Sequence, residues 1–282
     1  GTTQLGGSTA MDPSMTFRVG DITRSMTCDA LYGMVADGTV KLNAPVTDLV
    51  PGIPNLEGVT LGQLCDSTSG VGGLASWTTS RMLASPDREW NPRELASFGL
   101  GNGLVAAPGE RYVESDTGYL LLGLALERAS GMSAQQYLAK YVTKPLGLEN
   151  TLLPTDKAQA PGENSPTGYI TPNSPEGWVC AEPTDVTEVS ATTGWTDSGV
   201  VSNITDLGLY ARALAEQTLP QGEKSERYDS PLPMAEGFPS WYTSTGGVQF
   251  ADSMMGYGGS TIGYATSVWS DPTTGETVAV ML

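Results

Sequence analysis

The sequence predicts a mixed α/β fold of the α+β type, in which an antiparallel sheet is flanked by helices. Three observations indicate it. Apolar residues recur at helical spacing after Asp21, residues 119–130 are apolar on nearly every face, and two apolar stretches near the last residue flank the turn-forming residues 271–275. The helical patterns lie in the body of the chain, and a strand, turn, strand pattern closes it.

The first predicted helix begins at Asp21. Its apolar positions are Ile22, Met26, Leu31, Met34 and Val35. They recur at helical spacing. Asp37 and Gly38 end the pattern. We therefore expect a buried helix, and Asp21 is a good N-cap for it because an aspartate side chain accepts hydrogen bonds from the first free N–H groups.

Three further helices are predicted in chain order. Residues 119–130 form a core helix that stops at Gly131, since glycine readily adopts the left-handed conformation that ends helices. Ser133 caps the next helix, which ends before Pro145. Its apolar residues are Tyr137, Leu138, Tyr141 and Val142. The last helix follows Thr205.

Two strands are predicted at the end of the chain. The stretches TIGYATSVWS at 261–270 and ETVAVML at 276–282 are rich in β-branched and aromatic residues. The Asp-Pro-Thr-Thr-Gly sequence at 271–275 between them is typical of a turn. An antiparallel pair is the expected result.

Composition restricts the partners. The chain has 31 acidic and 14 basic residues and a net charge of −17, which repels nucleic acids and anionic membrane surfaces and favours neutral or cationic small molecules. No apolar stretch approaches the roughly 18 residues of a membrane helix, and the first residues do not resemble a signal peptide, so we expect no membrane insertion. The 35 glycines, few lysines and absence of histidine are typical of secreted proteins, which predicts a secreted or cell-envelope location. The oligomeric state stays open.

Three cysteines, Cys28, Cys65 and Cys180, allow one disulfide and one free thiol, with the pairing open. They lack Cys-x-x-Cys spacing, and no histidine completes a zinc site, so we expect no metal and no other cofactor. The absence of histidine also removes the commonest general base. Any acid–base chemistry must then rest on carboxylates, Tyr, Lys or Arg.

Six phrases occur in the order of a known family. They are FRVG at 17–20, DGTVKLNAPVTDLVPGIPN at 37–55, VTLGQLCDSTSG at 59–70, PGERYVESDTGYLLLGLALERASG at 108–131, KPLGLENT at 144–151 and SGVVSNITDLGLYARAL at 198–214. Together they resemble the serine β-lactamase and penicillin-binding protein superfamily, in its branch of class C β-lactamases, DD-peptidases and esterases. The resemblance implies a β-lactamase/transpeptidase-like fold. Residues 1–50 and 198–282 would form an α/β domain from both chain ends, and 51–197 an inserted, mostly helical domain.

The three catalytic motifs of that superfamily are altered. The family carries Ser-x-x-Lys, Tyr-x-Asn and a Lys or His followed by Thr-Gly. The corresponding positions here read Asp21-Ile22-Thr23-Arg24, Glu114-Ser115-Asp116 and Tyr257-Gly258-Gly259. The serine hydroxyl has become a carboxylate, and the activating amine has become a guanidinium that cannot be deprotonated. Acylation of a serine by the family mechanism is therefore not expected.

Three mapped active-site positions are acids, which predicts a carboxylate-based hydrolase, a glycosidase or transglycosidase. In the geometry that the resemblance implies, Asp21 and Glu114 would lie about 5 Å apart, as in retaining glycosidases. The helix N-terminus and Arg24 would keep Asp21 ionised as nucleophile or base. Glu114, beside other anions, would have a raised pKa and act as general acid. Asp116 and Tyr257 would support them.

Candidate ligand-binding residues surround the acids. Ser115, Gly258 and Gly259 lie within the altered motifs. Trp77 and Trp90 lie in a stretch that the resemblance implies to be variable in the family, and there they would stack on a sugar. The substrate would be a small molecule or an oligosaccharide. Asp21, Glu114 and Asp116 also offer oxygen ligands for calcium or magnesium, but the adjacent Arg24 argues against a metal.

Two alternatives stay open beside the glycosidase. A non-catalytic binding protein, descended from a penicillin-binding protein or esterase, would bind a ligand without turnover. A serine esterase or peptidase would use an unrecognised nucleophile such as Ser67, Ser115 or Ser260, although none has a recognisable base beside it in the sequence. Each acid also has a purely structural interpretation, as a helix cap or as an ion-pair partner of Arg24 or Arg111.

Overall fold

The structure is a computed structural model that describes residues 1–101, 103–156, 164–171, 182–219, 227–234 and 237–282. The strands within these residues are β1 (Thr16–Arg18), β2 (Tyr169–Ile170), β3 (Thr184–Asp185), β4 (Val201–Asn203), β5 (Leu232–Pro233), β6 (Tyr242–Thr245), β7 (Val248–Ala251), β8 (Met254–Thr261), β9 (Tyr264–Ser270) and β10 (Thr277–Met281). The helices are α1 (Ile22–Ala36), α2 (Val46–Leu49), α3 (Leu61–Cys65), α4 (Thr78–Leu83), α5 (Pro92–Leu100), α6 (Asp116–Ser130), α7 (Ala134–Leu138), α8 (Lys144–Leu146), α9 (Trp195–Ser198) and α10 (Ile204–Glu216). A π-helical turn joins α7 to α8.

The main sheet is antiparallel and has the order β10-β9-β8-β7-β6-β5, so each strand pairs with its neighbours in sequence. Strand β1 does not join it but pairs with β4. Helix α10 packs against β8, β9 and β10, and α1 packs against α6, α9 and β8. The arrangement confirms the predicted α+β class, with an antiparallel sheet beside a body of helices.

Helix α1 is buried on every side and lies at the centre of the molecule. Its polar side chains therefore need partners inside the protein. Asp29, fully buried, forms an ion pair with Arg227 at 2.6 Å and accepts a hydrogen bond from the Tyr210 hydroxyl at 2.6 Å. Arg227 also donates to the carbonyl of Gly246, so the start of the sheet is tied to α1.

Most of the predicted elements are confirmed, with two corrections. Helix α6 ends at Gly131, which has a left-handed φ of 68°. Ser133 caps α7, which already ends at Leu138, but the chain does not leave the helical conformation before Pro145, because a π-helical turn leads into α8 and Pro145 occupies the first turn of α8. Residues 261–270 are not one strand, since Gly263, with a φ of 89°, turns the chain between β8 and β9.

The proposed division into 1–50 with 198–282 and an inserted 51–197 stays a prediction. The main cluster of buried apolar side chains runs continuously through all parts of it, from Phe17 through Leu121 to Val268. Among the described residues, no helix is both long and apolar enough to cross a membrane.

A disulfide joins Cys28 on α1 to Cys65 at the end of α3, 37 residues apart. Cys180 lies outside the described residues. The bond fixes the central helix against the loop that follows α3.

We expect loss of this disulfide in Cys65→Ala to lower the free energy of unfolding by about 4 kcal/mol, because a loop of this length gains that much freedom in the unfolded chain. Urea denaturation of the wild type with and without dithiothreitol, beside the variant, measures it. The reductant should bring the wild type to the stability of the variant and leave the variant unchanged. A variant as stable as the oxidised wild type would contradict the prediction.

Candidate functional site

Two glycines let the start of α1 touch strand β8. Gly20 has a φ of 60°, and a Cβ there would lie 2.6 Å from the carbonyl carbon of Ser260. A Cβ on Gly259 would lie 2.8 Å from the backbone nitrogen of Asp21. Gly259, predicted to bind substrate, is therefore required for close packing. The contact brings Asp21 to the edge of the cavity described below.

Asp21 does not cap α1. Its side chain makes no capping hydrogen bond. Instead, its Oδ2 accepts a hydrogen bond of 3.1 Å from the backbone N–H of Ser260, and its Oδ1 lies 3.2 Å from Nη2 of Arg24. The N-cap interpretation is wrong, because the carboxylate turns towards β8 and Arg24.

Arg24 is the centre of the site. Its side chain is 3% exposed and forms ion pairs with four carboxylates. Nη1 lies 2.9 Å from Oε1 of Glu114, and Nε lies 2.8 Å from Oδ1 of Asp197. Nη2 contacts Asp116 as well as Asp21. One positive charge thus faces four acids, and full ionisation would leave the cluster with three excess negative charges.

The start of α6 positions two of these acids. The Ser115 hydroxyl accepts a hydrogen bond of 2.9 Å from the N–H of Gly118 and donates one of 3.0 Å to the carbonyl of Gly72. Ser115 is buried, so its predicted contact with substrate is wrong, and it acts as a helix cap. The cap fixes Glu114 and Asp116 on either side of it.

Asp197 is a member of the cluster that the sequence did not predict. It lies in a tight turn where Trp195 has a φ of 41° and a Cβ on Gly199 would come within 2.6 Å of the Trp195 backbone. The carbonyl of Thr196 accepts a hydrogen bond from Thr27 on α1 at 2.8 Å, which holds the turn against that helix. The one available signal was an acid directly before the SGVV phrase at 198–201.

The pKa shifts differ from those expected. Burial raises the pKa of Asp197 to about 8, although Arg24 opposes the shift. Burial also raises the pKa of Asp21, against the opposing charge of Arg24. The expectation that Asp21 is firmly held ionised is therefore wrong in direction. Glu114, the predicted general acid, has a side chain that is 63% exposed, whereas Asp197 is buried.

A cavity of about 380 Å³ opens to solvent above the cluster. We call it the acidic pocket. Its lining residues are Asp21, Arg24, Leu74, Thr79, Met82, Glu114, Asp116, Ile170, Thr193, Asp197, Ser198, Ser260, Thr261 and Ile262. Arg24 is the single cation among these residues, so the pocket presents an excess of acid groups to any ligand.

Tyr257 lies beneath Arg24 and outside the pocket lining. It is 2% exposed, and burial raises its pKa well above the ordinary value, so it stays neutral. Arg24 also packs over the ring of Tyr119, 5.3 Å from the ring centre. The N–H of Gly258 donates to Oε1 of Gln249 at 3.0 Å and is thus used within the sheet. Tyr257 supports the cluster, whereas Gly258 is not placed to bind a ligand through its N–H.

The two predicted sugar-stacking tryptophans do not line the pocket. Trp90 is 4% exposed and packs on the edge of Phe98 and under Arg88, so a stacking role for Trp90 is wrong. Trp77 is 46% exposed, but its ring lies 4.8 Å from Phe98. Both belong to an aromatic cluster between α4 and α5.

The serines proposed as substitute nucleophiles lack an activating base. Ser67 is buried, with its hydroxyl 3.2 Å from that of Tyr119. Ser260 lines the pocket, but no lysine is among the described residues that line it, and the sequence has no histidine. Among the described residues, no group of His, Cys, Asp or Glu is arranged to hold a metal ion. The guanidinium of Arg24 occupies the position between the carboxylates.

Known proteins resemble the whole chain. A family model described as Beta-lactamase matches residues 1–282. The D-alanyl-D-alanine-carboxypeptidase/endopeptidase AmpH of Escherichia coli (strain K12) is 30% identical over 161 residues, covering 54% of this chain and 40% of the relative. Penicillin-binding protein 4* of Bacillus subtilis (strain 168) is 23% identical over 231 residues, or 78% of this chain and 49% of the relative. The chain therefore spans less than half of these relatives.

Solved structures share the fold. The D-stereospecific amidohydrolase from Streptomyces sp. superposes with a TM-score of 0.85 at 20% identity, covering 98% of this chain and 84% of that one. The octameric penicillin-binding protein homologue from Pyrococcus abyssi gives a TM-score of 0.80 at 24% identity, covering 100% of this chain and 65% of that one. The chain thus has the fold of these two proteins.

Proposed function

The chain belongs to the beta-lactamase family, and from that premise we propose that its acidic pocket binds a small molecule carrying a protonated amine, without forming a serine acyl-enzyme. The observation that supports the proposal most is the buried guanidinium of Arg24 among four carboxylates, with Asp21 in the position of the family serine.

Acyl transfer needs a nucleophile and free hydrogen-bond donors aimed at the developing oxyanion. Asp21 replaces the nucleophilic hydroxyl. The backbone N–H of Ser260, which faces the pocket, already donates to the Asp21 carboxylate. This donor is therefore already used by a side chain of the protein itself and is not free to stabilise a developing oxyanion, which opposes acyl transfer in the pocket.

The same charges favour a cation. Four acids outnumber Arg24, and the pKa of Asp197 is raised to about 8, chiefly by burial and further by the neighbouring Asp116 and Asp21. A ligand ammonium group would lower that pKa and allow Asp197 to release its proton. The pocket volume of about 380 Å³ suits a small molecule.

We expect calorimetry to detect binding of benzylamine but not of neutral benzyl alcohol, with release of protons at pH 7 as the pKa of Asp197 falls in the complex. Titration in two buffers of different ionisation enthalpy measures the protons. Glu114→Gln, which keeps an acceptor for Arg24, should weaken amine binding roughly three- to tenfold through the lost charge.

Glu149→Gln is the matched control, because it removes one exposed acid outside the pocket lining. Its affinity for benzylamine should equal that of the wild type. Equal binding of benzyl alcohol, or equal weakening by both glutamine variants, would refute a specific cation site.

A second candidate is a carboxylate-based hydrolase, favoured by the raised pKa of Asp197 beside an open pocket, which suits a general acid. The matched relatives have hydrolase names, of a peptidase and an amidohydrolase. In the finer form of this candidate, Asp21 and Glu114 cleave a glycosidic bond of an oligosaccharide. Against it, both carboxylates contact the same guanidinium.

A substrate screen separates the two candidates. Aryl glycosides, aryl esters, D-amino acid amides and nitrocefin are incubated with the wild type, Asp21→Asn, Glu114→Gln and Asp197→Asn. Glycoside turnover that is abolished by Asp21→Asn or by Glu114→Gln would establish the glycosidase. Turnover that only Asp197→Asn abolishes would identify Asp197 as the acid, and absence of turnover together with amine binding supports the binding protein.

We also propose a secreted or cell-envelope location. The disulfide between Cys28 and Cys65 supports it, because disulfides persist in oxidising compartments.

A further inference from the structure

A second cavity, of about 930 Å³, lies next to the acidic pocket, and Thr79 and Ile170 line both. We call it the apolar groove. Its lining residues are Thr79, Ser80, Leu83, Pro86, Ile170, Thr171, Thr184, Asp185, Val186, Glu188 and Val189. The shared residues place the groove directly beside the pocket.

The character of the surface changes from one cavity to the next. The acidic pocket carries four acids around Arg24, whereas the groove has an apolar wall made by side chains from α4, the loop after it, β2 and the segment after β3, and its own two acids, Asp185 and Glu188, are exposed. These side chains are Leu83, Pro86, Ile170, Val186 and Val189. A ligand that fills both cavities must be charged at one end and apolar along its length.

The groove walls are tied together by hydrogen bonds. The N–H of Ser190 donates to the carbonyl of Pro86 at 2.7 Å, which joins the two walls. The buried Arg18 donates to the carbonyls of Val189 and Thr187, and fixes the second wall from below. The groove is therefore preformed, which lowers the cost of ordering it around a ligand.

We propose that the ligand is an elongated amphiphilic amine, with its ammonium group among the acids and an alkyl chain that passes between Thr79 and Ile170 into the apolar groove. The inference rests on the proposed cation site and adds the chemistry of the rest of the ligand. The excess of acids at one end and the apolar wall at the other determine the orientation of the chain.

An n-alkylamine series tests it. Dissociation constants of butylamine, hexylamine, octylamine and decylamine are measured by calorimetry at pH 7, with butanol, decanol and decanoate as controls. Each methylene buried in the groove should tighten binding about two- to fourfold. Decylamine should then bind at least about sixtyfold more tightly than butylamine, and more tightly than any of the controls.

Ser80→Trp places a large side chain in the groove, since Ser80 is exposed and lines the groove but not the acidic pocket. The variant should lose most of the increase in affinity that a longer alkyl chain gives the wild type. Its dissociation constant for butylamine should stay within about twofold of the wild-type value. Ser76→Trp adds the same side chain at an exposed position outside both cavities and should behave as the wild type.

The outcomes separate the two proposals. If butylamine binds no better than butanol, the cation site itself fails. If amines bind but their affinity does not depend on chain length, the cation site stands and the groove proposal is overturned. The same conclusion follows if Ser80→Trp and Ser76→Trp show the same increase in affinity with chain length. Decanol binding as tightly as decylamine would also overturn it.

Discussion

Replacement of Arg24 by methionine should lower the free energy of unfolding at pH 8 by about 3–5 kcal/mol, because it leaves a cluster of carboxylates with no buried counter-charge. The side chain of Arg24 is 3% exposed and contacts four acids, so solvent cannot replace it. At pH 5 the loss should be smaller, since Asp197 and Asp21, whose pKa values are raised by burial, take up protons more readily than ordinary aspartates.

Urea denaturation followed by circular dichroism at pH 5 and pH 8 measures this difference. Arg93→Met is the matched control, because Arg93 is exposed on α5 and should change stability by less than about 0.5 kcal/mol. Arg24→Lys should fall between the wild type and Arg24→Met, since an ammonium keeps the charge but cannot span the four acids as the planar guanidinium does. An Arg24→Met variant as stable as the wild type at pH 8 would show that the carboxylates do not depend on the arginine.

The sequence predicted the elements that depend on local patterns. Helix α6 is apolar on nearly every face because it lies in the core, and its left-handed Gly131 ends it as expected. The hairpin between β8 and β9 was missed because Thr261 and Tyr264, its paired ends, have the composition of one continuous strand. Only Gly263 marks the turn, and a single glycine within an apolar run does not distinguish a turn from a bulge.

Part of the site followed from the order of the altered motifs. Asp21, Glu114 and Asp116 all contact Arg24, which agrees with the convergence that the resemblance implied and with the structural interpretation of these acids as ion-pair partners. Asp197 did not follow, because it lies 173 residues from Arg24 and reaches it only through the strained turn at Trp195. No periodicity or local motif encodes such a contact.

The roles of neighbouring residues were harder to predict than their positions. Ser115 lies between two pocket acids, yet its hydroxyl points inward to cap α6. Trp90 is part of the core, although its stretch of sequence varies in the family. Residue type gives the available chemistry, whereas the direction of a side chain depends on packing that is absent from a linear pattern.

Asp197→Asn should remove much of the pH dependence of stability between pH 4 and pH 8. The pKa of Asp197 is raised to about 8, above its ordinary value, so the folded protein retains a proton that the unfolded chain loses. The associated stability is fully present below the ordinary pKa and is lost as the pH rises towards 8. Asparagine keeps an oxygen acceptor for Nε of Arg24 and cannot ionise, so the variant should be more stable than the wild type at pH 9, by several kcal/mol.

Thermal and urea unfolding from pH 4 to pH 9 test this expectation, with Asp48→Asn as the control for loss of an exposed acid. The control should reproduce the pH slope of the wild type. If Asp197→Asn retains that slope, or is less stable than the wild type at pH 9, the proton does not reside on Asp197. In the complex that we propose, amine binding releases this same proton, so Asp197→Asn should also abolish proton release on addition of benzylamine at pH 7. Agreement between the two measurements would connect the free-energy cost of ionising Asp197 in the folded protein with the affinity of the acidic pocket for a cation.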